Sequence, residues 1–307
     1  MNSITVIGSL NIDIVVRSAR VPNTGETIAG TELHIIPGGK GANQAVAASK
    51  AGAPTRMIGC IGNDAFGQEL TRSLSLAGVN SEGVSILQGV TTGTATILLE
   101  ETGENRIIIV PGANGQVTPQ QIDALWSSVV ESKMILLQME IPLETIAYII
   151  KKASANKIPV LLNTAPIYPL PEDLYPLIHT LVANETEAAL LSGRSVTDQA
   201  TALAAAKSIC AKGVNTCIIT LGAQGAILYN QTGSLFQPSF KVKVVDTTAA
   251  GDTFVGVYAA CVLAGRTTAE SMKFASAAAA IAVTRLGAQT SMPAWQEVLQ
   301  FLGSVGD

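Results

Sequence analysis

The sequence predicts an α/β protein with three α-β-α layers around a mostly parallel central sheet, plus a small β-sheet lid. Along most of the chain, short apolar β-branched runs alternate with segments of helical period, which is typical of parallel strands joined by helices. The 307 residues, 48% of them hydrophobic, suffice for a large core. Two segments, 14–38 and 92–111, break the alternation and predict the lid.

The body is predicted to comprise residues 1–13, 39–91 and 112–307. Its predicted strands are 4–7, 56–61, 135–139, 160–163, 180–183 and 217–221. Its predicted helices are 38–48, 66–77, 143–155, 185–191, 200–212, 254–264 and 277–283. A further strand is predicted from the β-branched run of Val242, Val244 and Val245.

The lid is predicted from residues 14–38, rich in β-branched and turn residues, and from two strand-like runs at 94–100 and 106–110. Residues 101–105 between those runs are a turn signal. Together these segments predict a small antiparallel sheet with one apolar face to cover. Closure over a site and a self-complementary dimer interface would each cover that face.

Composition argues against several classes of protein. A net charge of −4 without a basic block argues against a nucleic-acid partner. The chain enters a strand at once, and its longest apolar runs are shorter than the about 20 residues of a membrane span, so we expect no signal peptide and no membrane partner. Four cysteines without paired spacing and only two histidines argue against a zinc site or a histidine triad. We expect a cytoplasmic protein.

Residues 246–254 link the predicted valine strand to a helix of small residues. Ala249, Ala250 and Gly251 are too small to block the backbone, and a strand-to-helix turn points N–H groups at one place, which makes an anion site. Asp252 follows at the rim. A carboxylate belongs there if the anion site holds a phosphoryl group and the carboxylate holds the attacking hydroxyl. The alternative is that Asp252 only caps the helix.

A glycine-rich segment, Gly38 to Gly41, precedes a second predicted helix. His34 and Gly41 occupy positions where a P-loop needs glycine and serine or threonine, so the segment is not a P-loop. Its glycines let the backbone approach a ligand, which Asn43 on the first helical turn can face. The alternative is a tight turn needed only for packing. Lys40 is the one candidate cation in these motifs.

Polar residues follow two predicted strands. Asn11 and Asp13 alternate with apolar residues after the first strand, so both project to one face. Glu140 directly follows strand 135–139. The ends of parallel strands are where α/β proteins bind ligands, and an Asp with an Asn suits vicinal hydroxyls, so the three favour a polyol site. Each one alone is equally explained as a capping or surface residue.

Two further motifs follow apolar strands. Asn184 and Glu187 begin a helix, where carboxylates are also favourable without any ligand. Their functional interpretation is that they organise water around a phosphate-bound Mg²⁺, which usually keeps several waters. Thr220, Gly222 and Gly225 permit the close backbone approach that a nucleotide needs.

In order along the chain, these motifs resemble the ribokinase family of sugar kinases, over essentially its whole length. The matching segments are GSLNID (8–13), GGKGANQA (38–45), NETE (184–187) and DTTAAGDTF (246–254). The resemblance implies ATP-dependent phosphorylation of D-ribose at its 5-hydroxyl, Mg²⁺ and a K⁺ activator, and a β lid that also forms a homodimer. Many relatives carry glycine where this chain has Ala249, a variation that also occurs within the family and is expected to matter little.

The resemblance also assigns roles to residues. Asp252 would be the base, with the backbone of Ala249, Ala250 and Gly251 holding the γ-phosphoryl charge. The implied sugar contacts, besides Asp252, are Asn11, Asp13, Gly39, Lys40, Asn43 and Glu140. The implied ATP and Mg²⁺ residues are Asn184, Glu187, Thr220, Gly222, Gly225 and Gly251. The implied K⁺ positions are Asp246, Thr248, Ala282, Arg285, Gly287 and Ser291, mostly through carbonyl oxygens.

Two alternatives stay open at this point. One is a relative acting on another sugar, namely 2-deoxyribose, fructose, a keto-deoxy acid or a nucleoside. The other is a non-catalytic sugar-binding regulator on the same fold. The intact Asp252 and Gly251 argue against the regulator, since a protein that only binds sugar needs neither.

Overall fold

A nine-stranded sheet forms the centre of the computed structural model, which describes residues 2–102 and 104–305. Gly103, part of the predicted 101–105 turn, lies outside the described residues. The strands of this sheet and of a second, smaller sheet are, in chain order, β1 (Ile4–Ile7), β2 (Asn11–Ser18), β3 (Glu32–Gly38), β4 (Thr55–Gly62), β5 (Asn80–Leu87), β6 (Gly93–Glu100), β7 (Asn105–Val110), β8 (Met134–Leu137), β9 (Val160–Asn163), β10 (Thr180–Asn184), β11 (Thr216–Thr220), β12 (Gly225–Asn230) and β13 (Gly233–Pro238).

The central sheet has the strand order β13-β12-β11-β10-β9-β8-β1-β4-β5. From β11 to β5 all neighbours pair in parallel, and β12 and β13 add an antiparallel hairpin at one edge. The central strands β1, β8 and β9 are buried along their full length and are mostly apolar rather than alternating, with Thr5 and Asn163 as buried polar exceptions. Because the strands from β11 to β5 run in the same direction, their carboxyl ends meet at one edge of the sheet, where ligands bind in such sheets.

Helices cover both faces of this sheet. They are α1 (Lys40–Lys50), α2 (Ala65–Leu76), α3 (Pro119–Val129), α4 (Leu143–Ala155), α5 (Glu185–Ser192), α6 (Gln199–Ala211), α7 (Ala250–Leu263), α8 (Thr268–Ala282) and α9 (Trp295–Val305). One apolar core lies under α3 to α6, and a second lies under α1, α2, α7 and α8. The predicted three-layer α-β-α class is confirmed.

A separate four-stranded sheet has the order β3-β2-β6-β7. It consists of two antiparallel hairpins whose inner strands, β2 and β6, pair in parallel. Both segments that break the strand–helix alternation contribute to it. Because β2 begins at Asn11, only residues 8–10 separate this sheet from strand β1 of the body.

The structure corrects some local predictions. No strand forms over Val242 to Val245; Val244 and Val245 are exposed, and the chain here is held by the Val245 and Asp246 N–H groups, which donate to Val283 O. A β-branched run forms a strand only beside another strand, and this one crosses the end of a helix instead. The first strand ends at Ile7, so Asn11 and Asp13 lie at the start of β2. Strands β5, β12 and β13 and helices α3 and α9 were not predicted.

The length and hydropathy of the helices decide whether any of them could span a membrane. Within residues 2–102 and 104–305, no helix is both long enough and apolar enough to cross a membrane.

Candidate active site

A cleft of about 830 Å³ opens at the carboxyl ends of the parallel strands. The starts of α1, α5 and α7 meet there, because each follows a strand end or a loop at this edge. The predicted site residues that line it are Lys40, Asn184, Glu187, Thr220, Gly222, Gly225, Ala249, Ala250, Gly251 and Asp252. A second cavity, of about 460 Å³ between α2 and β5, is lined by none of the predicted site residues.

Asp252 lies in the first turn of α7 and is 5% exposed. Its Oδ2 accepts a hydrogen bond from Asn43 Nδ2 at 3.0 Å, and its Oδ1 accepts one from Gln44 Nε2 at 3.1 Å. Helix α7 has no side-chain cap. The carboxylate is thus directed at α1 and the cleft, and it does not cap its own helix.

The backbone just before Asp252 forms the start of α7, where free N–H groups could bind an anion. The first N–H groups of α7 have no preceding turn to bond to, and the helix dipole favours negative charge there. A Cβ added at Gly251 would meet no atom within 4 Å, so this residue borders open space. The Ala250 N–H donates to Thr247 O at 3.3 Å, so one of the predicted donors is already engaged.

Ala249, which precedes α7, adopts the left-handed conformation with φ 58° and ψ 13°. An L-residue with a Cβ pays about 1–2 kcal/mol for this conformation, which glycine adopts freely. The alanine expected to matter little therefore stores strain next to the anion site.

Asn11 and Asp13 lie on the same face of β2. Asn11 Oδ1 accepts a hydrogen bond from Asn114 Nδ2 at 2.7 Å. The Asp13 carboxylate lies against Gly38, where a Cβ would approach its Cγ at 2.7 Å. Burial, followed by repulsion from Glu140 and Asp252, raises the pKa of Asp13 from 3.8 to about 7, although Lys40 opposes the rise.

Glu140 holds the start of α1. Its Oε2 accepts hydrogen bonds from Ser9 Oγ at 2.5 Å and from the Lys40 N–H at 3.0 Å. At Gly39, which has φ 87°, a Cβ would lie 2.6 Å from Asn11 N. The glycine-rich segment therefore does serve tight packing, and that packing brings Asn43 to Asp252.

Lys40 is the cation at the centre of this group of carboxylates. Attraction to Asp252 is the largest influence and raises the pKa of Lys40 against the opposing effect of burial, with smaller contributions from Glu140, Glu187 and Asp13. Its ammonium group therefore stays charged among the carboxylates of Asp13, Glu140, Glu187 and Asp252.

Asn184 and Glu187 form a capping box at the start of α5. Glu187 Oε2 accepts from the Asn184 N–H, Glu187 Oε1 accepts from Asn184 Nδ2, and Asn184 Oδ1 accepts from the Glu187 N–H. Glu187 is 6% exposed, and burial raises its pKa. The pair thus explains the helix start without a ligand. A carboxylate already engaged in this way fits Mg²⁺ only through metal-bound water.

Thr220, Gly222 and Gly225 form the other wall of the cleft, after β11. Gly222 and Gly225 have φ of 49° and 122°, so both occupy backbone conformations that favour glycine. Opposite them lie Ser239 to Val242, together with small residues of α8.

The two segments predicted to hold a monovalent cation meet behind the anion site. Asp246 Oδ1 accepts from Thr248 N and Oγ1 at 2.9 and 2.7 Å, and Asp246 Oδ2 accepts from Gly287 N at 2.9 Å. Ala282 O accepts from Arg285 N, and Ser291 Oγ donates to Ala288 O at 2.7 Å. Both lone pairs of Asp246 Oδ1 are in use, whereas Asp246 Oδ2, Ala282 O and Ser291 Oγ each keep a further lone pair, so these three fit an oxygen-ligated cation.

Several residues of this region escaped sequence reasoning. Asn114 reaches Asn11 and the backbone of Leu10 from a short helical turn, and no pattern in the sequence marks it. Gln138 and Asn163 extend the contacts of Gln44, and their positions directly after or at the end of apolar strands were an available signal. Lys50 Nζ donates to Gln289 O and Met292 O, which ties the end of α1 to the predicted cation loop.

Comparison with known proteins identifies relatives along the whole chain. A family model described as "pfkB family carbohydrate kinase" matches residues 1–295. The chain is 38% identical to the ribokinase of Haemophilus influenzae over 98% of both chains. It is also 35% identical to the deoxyribokinase of Salmonella typhimurium, over 97% of this chain and 98% of that one.

A solved structure of Arabidopsis thaliana ribokinase complexed with ribose and ATP has the same fold. It superposes with a TM-score of 0.90 at 33% identity, and the match covers 97% of this chain and 98% of that chain.

Proposed function

The chain belongs to the pfkB family of carbohydrate kinases, and on that premise we propose that it transfers the γ-phosphoryl group of ATP to the 5-hydroxyl of D-ribose, giving ribose 5-phosphate and ADP. The observation that carries the proposal is Asp252, buried between Asn43 on the polyol side and the open start of α7 on the other. An anion site attracts negative charge whereas a carboxylate repels it, so their proximity makes sense when each holds a different reactant.

In the proposed mechanism, Asp252 accepts the hydrogen of the sugar 5-hydroxyl and directs its oxygen at the γ-phosphorus. The N–H groups at the start of α7, around Gly251, stabilise charge on the transferring group. Phosphoryl transfer has a loose transition state, so positioning and charge stabilisation matter more than early proton removal. Lys40 supplies a fixed positive charge beside the same carboxylate.

The sugar site is proposed to use Asn11, Asp13, Asn43 and Glu140, with the backbone at Gly39. The support is a buried, unpartnered atom: Asn43 Oδ1 has no hydrogen-bond partner in the part of the chain that the structure describes. A sugar hydroxyl would satisfy it, and burial without a partner is otherwise costly. Asp13 faces the same region from β2 and offers a second acceptor.

The nucleotide is proposed to lie along Asn184, Thr220, Gly222 and Gly225, with its γ-phosphate at Gly251. Mg²⁺ bound to the phosphates would neutralise charge that develops on them. Glu187 and Asn184 would hold water molecules of its shell, since their direct contacts are already made within the capping box.

A potassium ion is proposed at Asp246, Thr248, Ala282, Arg285, Gly287 and Ser291, where it would fix the loop before α7. Replacing K⁺ with tetramethylammonium, which is too large for such a cage, is expected to lower kcat about tenfold or more, because the anion site loses its support. The apparent Tm should also rise with K⁺ concentration in the wild type and much less in Asp246→Asn. Equal activity in both salts, or equal Tm responses, would contradict the cation site.

A homodimer through the four-stranded sheet is proposed from its exposed apolar side chains. Leu33 and Ile35 on β3 and residues 107–110 on β7 are each about half exposed or more, which is unusual for large apolar groups on a free surface. Sedimentation is expected to give about twice the chain mass of 31.7 kDa, and Ile35→Asp with Ile108→Asp to give a monomer. A monomeric wild type at micromolar concentration would contradict the dimer.

The kinase proposal is tested by ADP release with ATP, Mg²⁺ and K⁺ across pentoses and hexoses. The second candidate substrate is 2-deoxyribose, because a deoxyribokinase is among the relatives. We expect kcat/KM for D-ribose to exceed that for 2-deoxyribose by about tenfold or more, since a missing hydroxyl leaves a buried acceptor unpaired. The reverse ratio would identify a deoxyribokinase, and sugar binding without any turnover would identify a regulator.

A further inference from the structure

A chain of buried amide side chains connects Asp252 to the central sheet. Gln44, on α1, is 0% exposed. Its Nε2 donates to Asp252 Oδ1 at 3.1 Å and to Asn163 Oδ1 at 3.0 Å, while its Oε1 accepts from Gln138 Nε2 at 2.7 Å. All hydrogen-bonding atoms of the Gln44 amide group are thus in use.

This arrangement fixes the orientation of the Gln44 amide. Asn163 Nδ2 donates to Val182 O, so Asn163 Oδ1 must face Gln44 as an acceptor. If the Gln44 amide turned by 180°, its oxygen would face the oxygens of Asp252 and Asn163, and its NH₂ group would face the NH₂ group of Gln138. The neighbours therefore impose one orientation, in which a donor points at the carboxylate.

The chain of amides ends in a contact that costs stability. Gln138 is fully buried, and its Oε1 has no hydrogen-bond partner among the described residues. The same oxygen lies so close to Gly8 that a Cβ there would collide with it. A buried unpaired carbonyl is unfavourable, and an apolar side chain of similar size would avoid it. The same apolar side chain would, however, leave Gln44 Oε1 without a donor, so the role of Gln138 that the contacts support is to hold the amide of Gln44.

We propose that Gln44 is a positioning residue for Asp252, held in its orientation by Gln138 and Asn163. With Asn43 on Oδ2 and Gln44 on Oδ1, the plane of the carboxylate is fixed, and its remaining lone pairs are directed at the cleft. The inference deepens the proposed kinase function and rests on it, since it concerns how the proposed base is presented to the sugar hydroxyl.

The charged groups around Asp252 do not replace these two amides. Lys40 on α1, Asp13 on β2 and Glu187 on α5 interact with Asp252 electrostatically, and Glu140, after β8, interacts with Lys40 and Asp13. Among the described residues, the hydrogen bonds to the carboxylate come from Asn43 and Gln44. An amide holds the carboxylate without offering it a proton, so the oxygens remain acceptors for the substrate.

Three variants test the proposal. Gln44→Met removes the donor at similar size, and we expect kcat to fall about tenfold or more while KM for ribose and for ATP stays within about twofold. Gln44→Glu places a carboxylate against Asp252 Oδ1, so a proton is shared between them and the acid limb of the kcat–pH profile should move up by about one pH unit or more. Gln138→Met removes the donor that holds Gln44 Oε1, so kcat should fall, by less than in Gln44→Met because Asp252 and Asn163 still engage Gln44 Nε2.

The matched control is Gln121→Met, which removes a glutamine that pairs with Thr118 N at the start of α3, outside the cleft. It should lower Tm without changing kcat or the pH profile. If both Gln44 variants keep kcat within about twofold and the acid limb does not move, the inference is overturned. Should they fail to fold, an unchanged kcat in Gln138→Met overturns it. Absence of turnover in the wild type overturns the kinase proposal as well, so the two failures are distinguishable.

Discussion

Asp252→Asn is expected to lower kcat by about 10²–10³-fold or more, while the affinity for D-ribose changes little. The substitution keeps the size of the side chain, but it removes the charge and turns one acceptor oxygen into a donor. The acceptor for the sugar 5-hydroxyl is then lost at the moment of transfer. In the proposed sugar site Asn11, Asp13 and Asn43 also contact ribose, so ribose binding should survive.

The measurement is steady-state ADP release together with calorimetric ribose binding on the same preparation. Asp198→Asn is a suitable control, because this exposed residue caps α6 and lies outside the cleft. Turnover close to that of the wild type in Asp252→Asn would remove Asp252 from the proposed mechanism. Loss of ribose binding together with activity would make it a sugar contact rather than the base.

The second large effect concerns pH. The efficiency kcat/KM for D-ribose is expected to fall about tenfold per pH unit below about 7, because Asp13 in the free protein takes up a proton there. A neutral carboxyl accepts weaker hydrogen bonds from sugar hydroxyls than a carboxylate does. The same titration affects stability. The pKa of Asp13 is higher in the folded than in the unfolded chain, so the free energy of unfolding is expected to decrease as pH rises from about 4 to 7.

This effect is measured as a profile of kcat/KM for ribose between pH 5 and 9, with kcat recorded at saturating ribose. In Asp13→Asn the step near pH 7 should vanish, and the efficiency should be low at every pH. An unchanged step in that variant would assign the titration to another group. A wild-type profile that is flat between pH 5.5 and 8 would show that Asp13 does not bind the sugar as a carboxylate.

Much of the body follows from its sequence because the central strands are buried on both faces. Strands β1, β8 and β9 are short, mostly apolar runs, and β8 leads directly into helix α4, a pattern typical of parallel strands joined by helices. The valines at 242–245 misled the prediction because a strand needs a neighbour, which sequence does not show. The hairpin of β12 and β13 was missed because its two strands follow a glycine-rich segment that was interpreted only as a nucleotide contact.

The candidate site was partly predictable for a similar reason. The sequence marks two short segments in which glycine, alanine and polar residues interrupt apolar runs. These segments contain Lys40, Asn43 and Asp252. Gln44 lies in the same segment, but its importance arises from Asn163 and Gln138, which are about 119 and 94 positions away. Contacts over such sequence separations arise only in the folded chain. Asn114 likewise gains its contacts only when its short helical turn lies beside Leu10 and the start of β2.

Ala249 has a thermodynamic consequence for the loop that precedes α7. Its methyl group makes the left-handed conformation about 1–2 kcal/mol less favourable than it would be for glycine, whereas the same methyl group restricts the unfolded chain by only about 0.4–1 kcal/mol in conformational entropy. A glycine would relieve the strain and lose that restriction. Because the strain is the larger of the two effects, the loop keeps its left-handed turn at a net cost in folding free energy, which the structure around it must offset.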